Sequence, residues 1–143
     1  MLTDAKVADL LAMAKRFVDQ STINFPTVGT YLTRELESDD RRESFLVDVN
    51  RKGIKVSKCT YQNRYQVTEI LLRLDIDGPT HDNPDGTAVP CPHLHVYREG
   101  FADKWASPID PSEFTDTTNL VLTLQQFLAR CKIERTPPIQ AAL

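Results

Sequence analysis

Three histidines, His81, His93 and His95, fall within one 15-residue span of a 143-residue chain. Imidazole is the side chain best suited to carry a proton near neutral pH, and it is also the commonest metal ligand. If residues 93–97 form a strand, positions two apart share a face, so His93, His95 and Tyr97 point one way and Leu94 and Val96 the other. Extending that alternation puts Val47, Val49, Ile54, Val56, Ile70, Leu72, Leu94 and Val96 on a core face. The opposite face then collects Lys55, Ser57, Cys59, Tyr61, Arg73, Asp75, His93, His95 and Tyr97. Bulges would break this phase.

Three chemistries suit such a face. The first is acid–base work on RNA without a metal. His93 or His95 would move the proton, Arg73 and Lys55 would clamp the phosphate, and Tyr61 or Tyr97 would stack on a base or donate a proton. Lys58, Arg64, His81 and Trp105 would extend the binding surface. A helix with an antiparallel sheet also resembles the small messenger-RNA-cleaving toxins of toxin–antitoxin pairs, an analogy of fold alone. The second is a non-enzymatic role, in which the histidines form a satisfied polar network pinning loop 77–92, or part of a partner or inhibitor interface, with Trp105 and Tyr97 as anchors. The third is a divalent metal, with His93 and His95 as ligands and Glu99, Asp75 or His81 completing the set. The string His93-x-His95-x-x-x-Glu99 resembles the first metal motif of cupin barrels, but Gly86 lies one residue too far upstream and no later histidine follows.

The elements that must position these groups are legible in outline. Residues 4–20 carry Val7, Leu10, Leu11, Ala14, Phe17 and Val18 at helical spacing, with Thr3 or Asp4 as cap. Residues 30–37 read as a short strand. Strands are then expected over 45–49, around 54–56, over 65–76 and over 93–97, with a hairpin connection at Arg51-Lys52-Gly53 and a turn at Tyr61-Gln62-Asn63-Arg64. Loop 77–92 joins the last two, with a type I turn at Asn83-Pro84-Asp85-Gly86. Leu120, Val121, Leu124, Phe127, Leu128 and Cys131 predict a second amphipathic helix, with Asp116-Thr117-Thr118 as cap candidates. The expectation is a single α+β domain over residues 1–143. It is an antiparallel meander of about four to five strands with an N-terminal and a C-terminal helix packed on one face.

Composition narrows the class. With 26% charged and 41% hydrophobic residues, disorder, collagen-like repeats and coiled coils are excluded. No apolar run approaches the roughly 18 residues of a membrane-spanning helix, so no membrane association is expected. The N-terminal stretch does not read as a signal peptide. Three cysteines, Cys59, Cys91 and Cys131, are unpaired in number and unsuited by spacing to a thiolate zinc site, so a reducing cytoplasm is expected, with Cys131 buried and inert. The net charge of −3 is unevenly spread: residues 1–40 hold −3, residues 41–73 hold +5 and residues 74–143 hold −5. A basic middle suits RNA or an acidic partner, or merely protects strand edges. A homodimer is compatible with either.

The strings Phe45-Leu46-Val47-Asp48-Val49-Asn50-Arg51, Lys58-Cys59-Thr60-Tyr61-Gln62-Asn63-Arg64-Tyr65, Asn83-Pro84-Asp85-Gly86 and Pro90-Cys91-Pro92-His93-Leu94-His95-Val96-Tyr97-Arg98-Glu99-Gly100, then Asp103-Lys104-Trp105-Ala106, resemble an uncharacterised bacterial family of short proteins known as a domain of unknown function. The resemblance implies a bacterial, cytoplasmic setting near prophage and mobile-element genes. It brings no reaction, cofactor or catalytic assignment. Asp82 stands where that family leads one to expect an arginine, which makes the loop more acidic.

Overall fold

The structure is a computed structural model and describes residues 1–141. In chain order it contains α1 (Asp4–Ala12), β1 (Lys15–Phe17), β2 (Ile23–Asn24), β3 (Tyr31–Ser38), β4 (Ser44–Asn50), β5 (Cys59–Tyr65), β6 (Glu69–Ile76), β7 (His81–Asp82), β8 (Ala88–Val89), β9 (His93–Val96), β10 (Ala106–Pro108), α2 (Leu120–Arg130), β11 (Ile133–Glu134) and β12 (Ile139–Gln140). The fold is mostly β, 37% strand against 14% helix, and its centre is a curled eight-stranded sheet ordered β10-β9-β6-β5-β4-β3-β1-β11. This overturns the expected α+β meander of four to five strands. The short strands at both edges carry too few residues to show an alternating pattern, and pairing with a neighbour is what makes them strands.

The first helix shows how a pattern can mislead. Thr3 caps α1 by accepting from the Lys6 amide, but the helix ends at Ala12, not near residue 20. Residues 15–17 instead pair antiparallel with β3 and parallel with β11. Phe17 is buried and Val18 is 52% exposed, which is the period of a strand and not of a helix. The helix α2 starts close to the expected place, with Asn119 as its cap; its side chain accepts from the Leu122 amide. Leu124, Phe127 and Leu128 of α2 join Val7 and Leu10 of α1 in one core with Phe45, Val47, Val49, Tyr61, Leu72 and Leu74.

The register sets the two faces. Val49 lies opposite Tyr61, Tyr61 opposite Leu74, and Leu74 opposite Leu94, all facing the core. On the other face one row runs Thr33, Asp48, Gln62, Arg73, His95, and a second runs Thr60, Asp75, His93. The expected strand around residues 54–56 is absent, and the expected turn at Tyr61-Gln62-Asn63-Arg64 is instead part of β5, paired on both sides by β4 and β6. Residues 51–58 form a loop whose Ile54 and Val56 are 97% and 70% exposed. Alternation cannot be counted through a loop, so the phase of β5 comes out one residue from expectation. Cys59 and Tyr61 therefore face the core, while Thr60 and Gln62 face out. A bulge between the Asn63 and Arg64 pairings resets the phase again in β6 and buries Leu71.

Asp48 anchors the middle of the outer face. Arg64 grips it through Nε at 2.7 Å and Nη2 at 2.8 Å, Thr33 donates at 2.6 Å and Gln62 at 2.9 Å. Burial pushes the Asp48 carboxyl up, but the Arg64, Thr33 and Gln62 hydrogen bonds outweigh it and hold the group below its ordinary value of 3.8. The folded-state pKa is depressed, so its contribution is complete above the unfolded value and disappears as pH falls below 3.8 through the folded one. Acid titration followed by circular dichroism should therefore show Asp48→Asn losing less stability below pH 3.8 than the wild type.

Candidate functional site

The polar face gathers around one carboxylate. Asp75 Oδ2 lies 3.1 Å from His93 Nε2 and 3.1 Å from His95 Nε2, while Arg73 Nε meets Asp75 Oδ1 at 3.2 Å. Cross-strand pairing puts Asp75 opposite His93 and Arg73 opposite His95, so the β6–β9 ladder itself brings the four together. His93 is 2% exposed and His95 not at all.

Backbone carbonyls orient both rings. His93 Nδ1 lies 3.0 Å from Val89 O, and His95 Nδ1 lies 2.8 Å from Asp103 O. A carbonyl only accepts, so Nδ1 carries the hydrogen in each ring, and Nε2 is the atom that each ring turns to Asp75. Two imidazole nitrogens and a carboxylate oxygen converge on one spot. Arg73 stands beside them, with Nη2 3.1 Å from His95 Nε2 and Nη1 2.5 Å from Asp103 Oδ2. Burial pushes the Asp75 carboxyl up; the His95 contact, the Arg73 charge and the His93 contact outweigh it and hold the group well below the usual carboxylate range. One donor atom each from Asp75, His93 and His95 fits within a 4.8 Å circle, which makes these three the metal-competent set among the described residues.

The loop 77–92 folds over this cluster as a small hairpin. β7 and β8 pair around the Asn83–Gly86 turn, closed by Gly86 N to Asn83 O at 2.8 Å, with Gly86 in the left-handed region at φ +87°. The Asn83 amide donates to Ala106 O at 2.9 Å and accepts from Ala106 N at 2.8 Å, locking the hairpin onto β10. That lock holds His81 edge-on to His95, ring centroids 4.6 Å apart. His81 Nε2 lies 2.7 Å from Lys104 O. Beside the cluster opens a pocket of about 280 Å³ whose lining includes Lys58, Thr60, Arg73, Asp75, His81 and His93.

Several residues expected at this site lie elsewhere. Tyr61 is buried on the core face and donates to Leu120 O at 2.6 Å; burial pushes its hydroxyl far up, out of range of proton transfer. Tyr97 is also in the core, where its hydroxyl accepts from Leu2 N at 3.2 Å. Glu99 does not complete a ligand set with His93 and His95: its carboxylate accepts from Asp4 N at 3.2 Å, across at the start of α1. Lys55 pairs with Asp77 at 2.8 Å, and Arg64 is committed to Asp48. Trp105 lies under the Arg98 guanidinium, 4.1 Å from the ring centroid, in a separate pocket. Asp103 and Asn83 went unrecognised because their side chains act across 30 and 23 residues of chain, where no spacing rule reaches. Cys59 and Cys131 are buried, and burial pushes their thiols up to about 11 and about 12.

A family model matches residues 2–133, nearly the whole chain, and the family it describes is one of unknown function. The chain belongs to that family, DUF6978. No curated protein and no solved structure matches it. Membership in DUF6978 thus carries no reaction, and the chemistry must come from the site. No helix among the described residues is long and apolar enough to cross a membrane.

Proposed function

We propose that this chain is a small, cytoplasmic, toxin-like protein of mobile-element type that acts on RNA phosphodiesters in the pocket beside Asp75, His93 and His95. The observation that carries the reading is the lining of that pocket, where Lys58, Arg73 and His81 surround an anion-sized space against a buried His/Asp cluster. RNA cleavage by its own 2′-hydroxyl forms a P–O2′ bond and breaks the P–O5′ bond. One group must take the 2′ proton and another must return one to O5′. His95 is sealed from solvent and cannot exchange protons with substrate, so its role is positioning. His81 is half-exposed, and its Nε2–H donates to Lys104 O, leaving the Nδ1 lone pair to take the proton. Lys58 is exposed and replaces Lys55 as the phosphate contact, and its ammonium gives O5′ the proton it needs to leave.

Expression of the wild-type chain should arrest bacterial growth, and the purified protein should shorten total RNA. The double variant Lys58→Ala, His81→Ala touches only surface groups and should keep its melting temperature while losing at least about 100-fold of the cleavage rate. RNA left intact by the wild-type protein would refute the reading.

A second reading, an interaction or inhibitor protein, has one observation of its own. The loop 51–58 projects Ile54 and Val56 among Arg51, Lys52, Lys55 and Lys58, which suits an acidic partner with an apolar anchor. Ile54→Asp separates the two: RNA cleavage and arrest both persist if the pocket acts, and arrest alone disappears if the loop docks a partner.

A further inference from the structure

We infer that Asp75, His93 and His95 form a mononuclear binding site for a divalent transition metal of the zinc class, open on the side of the pocket. This rests on the proposed function only for its use, not for its existence. Bonds of about 2.0–2.1 Å to N and O ligands place neighbouring ligand atoms roughly 3.0–3.4 Å apart around one ion. Asp75 Oδ2 stands 3.1 Å from each imidazole Nε2, within that range.

Orientation supports the same assignment. Metal-bound imidazoles are typically fixed by a hydrogen bond from the other ring nitrogen to a carbonyl or carboxylate. Both rings here have that support, from Val89 O and Asp103 O, and each arises from a different loop pinned to the sheet. Two separate loops thus turn two imidazole Nε2 atoms onto one carboxylate oxygen. Asp75 and His93 also line the pocket, so a bound ion would have coordination positions facing it. Three protein ligands with an open position is the pattern of a catalytic zinc rather than a structural one.

Arg73 is the rival cation. Its Nη2 donates to His95 Nε2, but its Nη1 is already held by Asp103, so the guanidinium has a partner to turn to when an ion takes the imidazole. Asp75 and Asp103 bring two negative charges to the cluster, against one positive from Arg73 and one from Lys58 at the pocket wall, so these fixed charges cancel and do not repel a dication. Nothing in the set is a thiolate, and mixed N/O ligation suits zinc, cobalt or manganese better than copper(I). A bound ion would supply an acidified water to the pocket.

The test uses the full chain stripped with chelator and dialysed, then titrated with zinc sulfate by calorimetry and with cobalt chloride by visible absorption. The expected result is about one ion per chain, a cobalt d–d band, and a raised melting temperature on loading. His93→Gln and Asp75→Asn should each weaken zinc binding at least about 100-fold while the circular dichroism stays native. Lys58→Ala, a pocket residue outside the ligand set, should bind zinc as the wild type does. Well under one ion per folded chain, or affinity unchanged in both ligand variants, overturns the site and leaves Arg73 and protons as the cations of the cluster. Stoichiometric zinc without RNA cleavage refutes the proposed function and keeps the site. RNA cleavage by protein that takes up no zinc keeps the proposed function and overturns the site.

Discussion

Asp75→Asn is expected to remove growth arrest and to slow RNA cleavage at least about 100-fold while costing the fold only about 2 kcal/mol. The asparagine amide is the same size as the carboxylate and keeps two polar atoms between the imidazoles and Arg73, with its oxygen able to stay on Arg73 Nε. What is lost is the negative charge at the hub. Asp75→Ala is the harsher change. It leaves two buried imidazoles and part of a guanidinium without a partner, and should destabilise by about 3–5 kcal/mol. Thermal denaturation beside an RNA-cleavage time course separates the two effects. If Asp75→Asn cleaves RNA at the wild-type rate, the cluster is structural.

Lys15→Ala is expected to be the most damaging single change to stability, about 3–5 kcal/mol, with no direct effect on the pocket. Lys15 is wholly buried at the start of β1, beneath the ends of both helices. Its ammonium donates to Met13 O at 3.0 Å, to Cys131 O at 2.8 Å and to Leu11 O at 3.5 Å, and sits 4.9 Å from the centre of the Phe45 ring. One cation thus satisfies carbonyls at the C-terminal ends of α1 and α2, where the helix dipoles favour positive charge. Truncation orphans those carbonyls and opens a cavity beside Phe45. Burial pulls the amine down to about 8 from 10.5, outweighing the attraction of Cys131. The folded state gives up this proton before the unfolded state does, so stability rises with pH between 8 and 10.5 and is level with respect to this group below 8. Melting temperatures of the wild type should therefore gain on those of Lys15→Met across that window. Parallel curves would show that the amine stays charged throughout.

Much of this was legible in the residues themselves. His93 and His95 do share a face, because period-two alternation holds within an unbroken strand, and Phe45, Val47 and Val49 point inward for the same reason. The Asn83–Gly86 turn and the helix at Leu120 also follow from local chemistry, proline and glycine at fixed offsets in one and apolar residues at helical spacing in the other. Local rules fail where the chain leaves an element. The loop 51–58 reset the alternation, which sent Tyr61 to the core and brought Thr60 and Gln62 to the outer face, and the bulge after Asn63 reset it again in β6 and buried Leu71. Strands as short as Lys15–Phe17 or Ile133–Glu134 have no period to read and exist only through their neighbours.

By itself the sequence determined that a histidine-bearing strand would present two imidazoles side by side, next to a loop able to cover them. Only the tertiary structure decided what they face. Strand pairing carried Asp75 and Arg73 into register with His93 and His95, and two loop carbonyls turned both rings so that their Nε2 atoms meet one carboxylate oxygen. The first outcome depends on neighbours two residues apart, and the second on cross-strand partners eighteen and more residues away and on carbonyls four and eight residues away, whose meeting is set by sheet register and loop packing.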